Sequence, residues 1–280
     1  MLIRALQTFK DSIFPNKCLA CSQFFHPETN NRPEKIPLQA MANDPIERVF
    51  CRVMGPFLCK ACITNFSPVS SPYCTQCGRA FKTRSGSCHQ CGDCIKKKPD
   101  YTHVRSMGIY DGTLMAVIHA FKYKHKIQLA GPLGRLLFSA FLKYDEIQNI
   151  DYVSPIPLHV SRLKNRGFNQ AFLLIREWPD LIRAVHDAGN GENESSSIQI
   201  NCKSLIRKTK TTSQTGLGKD QRAQNVKNAF QVAEPSLISG KRILLVDDVY
   251  TTGATAEECA KTLTASGAAS VNVLTLARTD

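Results

Sequence analysis

Apolar positions change rhythm along this chain, and the change defines its organisation. From residue 101 onward, short apolar runs alternate with segments of helical period. Residues 104–110 predict a strand. Leu114, Val117, Ile118, Phe121 and Tyr123 recur at helical spacing and predict a helix, and 132–142 predicts a second. A short strand follows at 152–156, its end marked by Pro155 and Pro157. Residues 169–181 predict a helix interrupted near Pro179. Residues 242–246 form an apolar, partly β-branched strand, and 271–276 form the last one. Between them, 255–266 predicts a helix with Gly267 at its C′ position. Strands alternating with helices in this way predict an α/β body with a mainly parallel sheet.

Before residue 100 the periodic segments are few and Pro and Gly breaks are frequent. The run KKKP at 96–99 marks a boundary, dividing the chain into 1–100 and 101–280. Residues 30–45 carry three prolines and little patterning and predict a loop; 186–197 (HDAGNGENESSS) predict a second, polar one. The opening residues place Leu2, Leu6, Phe9 and Ile13 at helical spacing with charges between, unlike the continuous apolar stretch of a signal peptide. The longest apolar run, 136–142, contains Ser139 and falls far short of the ~20 residues a spanning helix needs. These features predict an intracellular, cytoplasmic protein with no membrane span.

Composition adds a bias toward anions. There are 36 Lys and Arg against 23 Asp and Glu, a net charge of +13. The excess is concentrated in 203–227, where Lys203, Arg207, Lys208, Lys210, Lys219, Arg222 and Lys227 face Asp220 alone. Such a segment suits phosphates or nucleic acid, or simply a solvated surface loop.

Cysteine adds a metal. Ten of the 12 cysteines lie between Cys18 and Cys94. With no secretion signal, metal ligation is favoured over disulfides. Four CxxC pairs stand out: Cys18/Cys21, Cys59/Cys62, Cys74/Cys77 and Cys91/Cys94. Two intervening residues let the backbone turn so that both thiolates reach one ion, and two such knuckles close a four-thiolate tetrahedral site. Four knuckles imply two structural zinc ions. The knuckles pair either sequentially or in a cross-braced order, and a reduced cysteine cluster or an iron–sulfur site is the competing reading. Cys88 also forms CxxC with Cys91, which could shift the fourth knuckle; Cys91/Cys94 is preferred, leaving Cys88 and Cys51 over.

The sharpest motif is ILLVDDVYTTGAT at 243–255. It reads as a buried strand, two carboxylates, a hydroxyl-rich turn and a helix start. At the carboxyl edge of a parallel sheet this is where ligands bind. Thr251, Thr252, Gly253, Ala254 and Thr255 would present N–H groups and hydroxyls to a phosphate at the positive helix end. Asp247 and Asp248 just before them can accept hydrogen bonds from a ribose diol. That order suits a ribose 5-phosphate. No Walker A loop and no GxGxxG fingerprint is present.

This motif resembles the 5-phosphoribosyl-1-diphosphate (PRPP) loop of type I phosphoribosyltransferases. Further segments appear in a telling order: the cysteine knuckles, IHAFKY (118–123), SPIPLH (154–159), RLKNRGFNQ (162–170), RKTKTTSQTGLGKDQRAQNVKNAF (207–230), the acidic motif, and LTLAR (274–278). Together they resemble the ComF-type family of competence-associated proteins over nearly the whole chain, apart from inserts near 28–50 and 186–200. The resemblance implies a type I phosphoribosyltransferase-like, mainly parallel sheet with flanking helices, preceded by a small cysteine-rich zinc-ribbon domain. It implies that Asp247 and Asp248 hold the ribose hydroxyls and act in any catalysis, that 251–255 bind the 5′-phosphate, and that the loop with Pro155, Ile156 and Pro157 binds the diphosphate alongside magnesium. Arg162, Lys164 and Arg166 follow that loop and could meet the diphosphate. Residues 207–219, including Lys208 and Lys210, resemble a mobile loop over the site, with Gly216 and Gly218 as hinges. Asn169 and Gln170 read more readily as helix caps, and His119, His125 and His159 as structural hydrogen bonders, than as ligands. Two roles follow: a magnesium-dependent transferase acting on PRPP, or a DNA-binding scaffold with a remodelled PRPP site. The family implies a part in natural transformation, with single-stranded DNA and a helicase-like partner. Aromatic residues, which would supply stacking for single strands, are scarce within the basic segments, where only Phe168 occurs in 162–170 and none in 203–227.

Overall fold

The structure is a computed structural model, and it describes residues 16–27, 38–83, 85–188, 198–211 and 218–279. The expected N-terminal helix, much of the 186–197 loop and Gly216 lie outside these residues.

The frame is a five-stranded sheet in the order β3-β9-β8-β4-β5, every pairing parallel. Its strands are β3 (Val104–Ile109), β4 (Tyr152–Pro155), β5 (Gln199–Ile200), β8 (Arg242–Tyr250) and β9 (Ser270–Arg278). Two short antiparallel pairs accompany it: β1 (Asn16–Lys17) with β2 (Phe24–Phe25), and β6 (Leu205–Arg207) with β7 (Phe230–Val232).

Strand alternation divides the interior in two. Leu244 and Val246 of β8, with Leu274 and Leu276 of β9, face one core. Their neighbours Ile243, Leu245, Val271 and Val273 face the other. Because a strand's side chains point alternately to opposite faces, a strand covered on both sides must be apolar almost throughout, and 243–246 are. The first core is closed by α5 (Gly112–Tyr123), α6 (Ala130–Phe141), α8 (Gln170–Ile175) and α9 (Trp178–Ala188). Trp178 is fully buried there, its indole N–H donating to the Gly134 carbonyl at 3.2 Å while its ring meets Phe138 and Phe141. The second core is closed by α11 (Ala254–Ala265) and by the 74–94 knuckles. Residues before 100 therefore contribute to both cores: Cys18, Val49 and Phe50 to the first, Cys74 and Cys94 to the second.

The sequence expectation for the strands and helices of the body is met, with three refinements. Pro179 falls in the first turn of α9, where a missing N–H costs nothing, so 169–181 is two helices and not one. Strand β8 continues to Tyr250, so the acidic pair lies within the strand, Asp247 in register with Thr275 of β9, and not just after the strand's end. The loop expected at 30–45 is helical in its described part, α1 (Leu38–Asn43), and α2 (Ile46–Met54) follows. α2 buries Val49, Phe50, Val53 and Met54, and Phe50 stacks on Phe66 with centroids 4.0 Å apart. Short helices α3 (Lys60–Thr64), α4 (Gly92–Lys96), α7 (Val160–Arg166) and α10 (Lys219–Val226) complete the set. Among the described residues no helix is long and apolar enough to cross a membrane.

Candidate functional site

Two cysteine tetrads form, Cys18/Cys21/Cys59/Cys62 and Cys74/Cys77/Cys91/Cys94, and in each the sulfurs lie within 4.8 Å of one another. Of the two pairings left open, this is the sequential one. In the second tetrad the N–H groups of Cys77 and Cys91 point at the Cys74 sulfur from 3.4 and 3.3 Å. In the first, the Cys59 N–H points at the Cys18 sulfur from 3.4 Å. Burial pushes both receiving thiols up, but these backbone donors outweigh it and bring Cys18 and Cys74 down to about 6. Burial and the neighbouring sulfurs push Cys62 and Cys94 the other way. Four thiols crowded together cannot all ionise without a compensating cation, and a soft dication with a tetrahedral preference fits that donor set. Each tetrad could hold a zinc ion. Cys88 lies outside both, its sulfur 3.4 Å from the Ser71 hydroxyl, and Cys51 is exposed.

A cleft of ≈ 1050 Å³ lies at the carboxyl edge of the sheet. Its floor holds the acidic pair. Asp248 is 6% exposed, and its carboxylate lies 2.7 Å from the Lys122 ammonium. Burial alone would lower the Lys122 pKa, but Asp248, with Asp247 behind it, outweighs that and raises it. Asp247 accepts the Asp248 N–H at 2.8 Å. Lost solvation, then the adjacent Asp248 charge, push the Asp247 carboxyl up to about 7, against the smaller pull of Lys122 and Arg207.

Beyond β8 the chain turns through 251–253 into α11. Gly253 has φ +79, and a Cβ there would lie 2.3 Å from the Tyr250 hydroxyl. That hydroxyl is held by the Tyr101 hydroxyl at 2.8 Å. The turn is thereby set tightly on a buried tyrosine. Thr251, Gly253, Ala254 and Thr255 line it; Thr252 stands outside the lining, its hydroxyl toward the Ala254 N–H at 3.5 Å.

The opposite wall begins where β4 ends. Ile156 and Pro157 line the cleft, while Pro155 belongs to β4, in register with Val246. Proline brings no N–H, and that of Ile156 is given to the Val246 carbonyl at 2.9 Å. The loop's shape is fixed from outside: Asn169 donates to the Ile156 carbonyl at 3.1 Å and caps α8 by accepting the Ala171 N–H at 3.0 Å. His159 caps α7 in the same manner through Ser161. Both act as caps, as their types suggested.

Cations close the cleft. Of the expected cations, Arg162, Arg166 and Lys210 line it, with Arg207 and Arg222; Lys208 does not. Arg207 is 8% exposed, lies over the Phe230 ring at 5.2 Å, and donates to the Thr211 hydroxyl through one terminal nitrogen. Burial first, and the Arg162 charge second, lower its pKa. Burial and then Arg166 do the same to Arg162. Guanidinium groups that disfavour one another's charge are relieved by an anion between them. The Gln170 side chain, 3% exposed, also lines the cleft and leaves Nε2 without a partner among the described residues.

Lys122 is the site residue that the sequence motif does not single out. Its signal is there: in GTLMAVIHAFKY it is a lone full charge on a helix that buries Leu114, Val117, Ile118 and Phe121. A cation so placed needs a buried anion.

This is an α/β protein whose parallel sheet carries an acidic pair, a small-residue turn and a cationic wall in one cleft, with two cysteine tetrads built against its cores. No family model matches the chain. The DNA utilization protein YhgH of Escherichia coli K12 is 31% identical over 238 residues, 80% of this chain and 98% of that protein. Competence protein F of Haemophilus influenzae is 31% identical over 229 residues, 79% of this chain and 90% of that protein. Competence protein ComFC of Streptococcus pneumoniae is 26% identical over 227 residues. The chain belongs to the ComF-type family. Among solved structures, the glutamine PRPP amidotransferase of B. subtilis overlaps 54% of this chain and 26% of its own, at 18% identity and a TM-score of 0.30, too slight an overlap to bear on the fold.

Proposed function

We propose that the cleft binds PRPP or another ribose 5-phosphate and that the protein works in the cytoplasm, in the uptake or use of single-stranded DNA. The observation carrying the first part is the convergence of Asp247, Asp248, the 251–255 turn and the cationic wall on one cleft. The second part rests on the relatives named for competence and DNA utilization. A helicase-like partner belongs to the same proposal. The amides and hydroxyls at the start of α11 take the 5′-phosphate, where the helix end is positive. Asp247 and Asp248 accept the ribose hydroxyls. Arg162, Arg166 and Arg207 receive the diphosphate. Zinc in the two tetrads is structural, because four cysteine ligands leave no open position.

Asp247 also suits magnesium, a hard cation that takes oxygen ligands and keeps its waters. Its carboxyl, which burial and the Asp248 charge make harder to ionise, would be drawn to the charged form by a dication. The ion would supply charge neutralisation for a diphosphate. Should transfer occur, the bond from C1′ to the diphosphate breaks through a cation-like transition state, which the acidic pair stabilises from the floor while the arginines stabilise the departing anion. Lys122 keeps the Asp248 carboxylate oriented throughout by their ion pair.

Calorimetric titration of PRPP with magnesium into metal-loaded protein tests this. Saturable micromolar binding, lost in Asp247→Asn/Asp248→Asn, is the expected result. No binding by folded protein would leave the second reading, a DNA-binding scaffold, which the grouping of Arg162, Arg166, Arg207, Lys210 and Arg222 on one wall favours. Its affinity for single strands would fall steeply with salt.

A further inference from the structure

The two tetrads share a donor set but not the same access. In the second, Cys74, Cys77, Cys91 and Cys94 are all buried, in the core closed by α11. In the first, Cys18 and Cys62 are buried, Cys59 is half-buried and Cys21 is exposed. Sulfur contacts between knuckles occur in both, Cys21 to Cys59 at 3.7 Å and Cys77 to Cys91 at 3.8 Å. Exposure is therefore what separates them. The segments that carry the first tetrad, 16–27 and 56–66, contain no carboxylate, and Lys17 and Lys60 each stand beside a ligand in sequence.

Oxidation of cysteine selects thiolates that solvent reaches, in positive surroundings, with a second thiolate beside them to close a disulfide. Cys21 meets these conditions and has Cys59 at contact distance. No cysteine of the second tetrad does, since all four are out of reach of solvent. We propose that Cys21 and Cys59 form an oxidation site for peroxides, so that the first tetrad is a redox-sensitive clasp while the second is a protected support. This rests on the zinc reading of the two tetrads.

The Cys21 thiolate attacks one oxygen of hydrogen peroxide and breaks the O–O bond, becoming a sulfenic acid as hydroxide leaves. The Cys59 thiolate then attacks the Cys21 sulfur, forming the S–S bond and expelling a second hydroxide. Two thiolates have thereby given two electrons to one peroxide. Cys18 and Cys62 are left alone, too few for a closed tetrahedral site, and the tetrad releases its ion. The loosening is local. The Leu19 N–H donates to the Phe57 carbonyl at 3.1 Å, and the Cys59 N–H points at the Cys18 sulfur, so the affected contacts join the two knuckles of this tetrad. Cys18 and Cys62 pack in the first core, whereas Tyr101 and Tyr250, under the 251–255 turn, pack in the second. A thiol reductant reverses the step by exchange.

The test treats the full, zinc-loaded chain with hydrogen peroxide, reading zinc release with a chromogenic chelator and disulfides by peptide mass mapping. One zinc ion should leave about tenfold faster than the other, in step with a Cys21–Cys59 cross-link. Dithiothreitol with added zinc should restore the starting state. Cys74→Ser, which keeps the first tetrad intact, should retain the fast phase, and Cys21→Ser should lose it. Should either variant fail to fold, the cross-link map of the wild-type chain decides by itself. Equal release of both ions, a first cross-link among Cys74, Cys77, Cys91 and Cys94, or retention of both ions while the exposed Cys51 and Cys202 oxidise overturns the proposal. Each of these leaves the zinc reading standing. A folded chain that takes up no zinc overturns both.

Discussion

Asp247 and Asp248 are neighbours in sequence but not in electrical surroundings. Asp248 is neutralised by Lys122 at 2.7 Å, while Asp247 has no such partner among the described residues and is pushed up to about 7. A carboxyl harder to ionise folded than unfolded costs stability once it is charged. That cost is absent below its ordinary value of 3.8, grows toward about 7 and is constant above. Asp247→Asn should therefore be more stable than the wild type at pH 8, and the difference should close toward pH 4, as read by urea unfolding. If the ionised form is the one that holds ribose and magnesium, wild-type affinity for PRPP should strengthen about tenfold from pH 6 to pH 8. The opposite replacement, Lys122→Met, strands a buried carboxylate and should cost about 3–5 kcal/mol in the same unfolding measurement. The acidic pair was legible from its place before a small-residue turn. Its counterion was not, because nothing in local sequence joins residue 122 to residue 248; the sheet brings α5 and β8 together.

At the scale of elements, the turn between β8 and α11 is held from beneath. Gly253 sits on the Tyr250 hydroxyl, and Tyr101 secures that hydroxyl from the segment that follows the second tetrad. The Arg278 side chain lies 5.4 Å over the Tyr250 ring and donates to the Cys77 carbonyl, which ties the same tyrosine to a knuckle. Gly253→Ala must adopt a left-handed backbone, a cost of about 1–2 kcal/mol, and also displace a fixed ring. It should lose phosphate binding as well as stability. Tyr101→Phe leaves one buried hydroxyl short of a partner and should cost about 1–3 kcal/mol by urea unfolding. Long elements were legible here because four or more residues repeat a period: β8, β9, α5, α6 and α11 all follow their apolar positions. The strands β5 to β7 and the helix α7 were not, since two to seven residues hold too little of any period to register. Helices α1 and α2 escaped because prolines dominate the reading of 30–45, although the apolar set of α2 lies just beyond it.

Across the whole molecule, the tetrads are built into different cores. Cys18 and Cys62 pack with α2 and α6, whereas Cys74, Cys77, Cys91 and Cys94 share a core with Tyr101, Tyr250 and Ala256 beneath the turn that follows β8. Elemental analysis should find two zinc ions per chain, two still in Cys88→Ser, and one in Cys74→Ser. Because only the second tetrad lies under the turn, Cys74→Ser should weaken PRPP binding more than Cys21→Ser does, as titration would show. The knuckles themselves were legible from spacing alone, but their two separate placements depend on which sheet face each packs against. The cleft is what this architecture positions, and a crystal grown with PRPP and magnesium tests the proposed ligand site most directly. The account predicts density for the 5′-phosphate at the 251–255 turn and for the ribose hydroxyls at Asp247 and Asp248. Density for the ligand elsewhere, with the 251–255 turn empty at saturating PRPP, would contradict it.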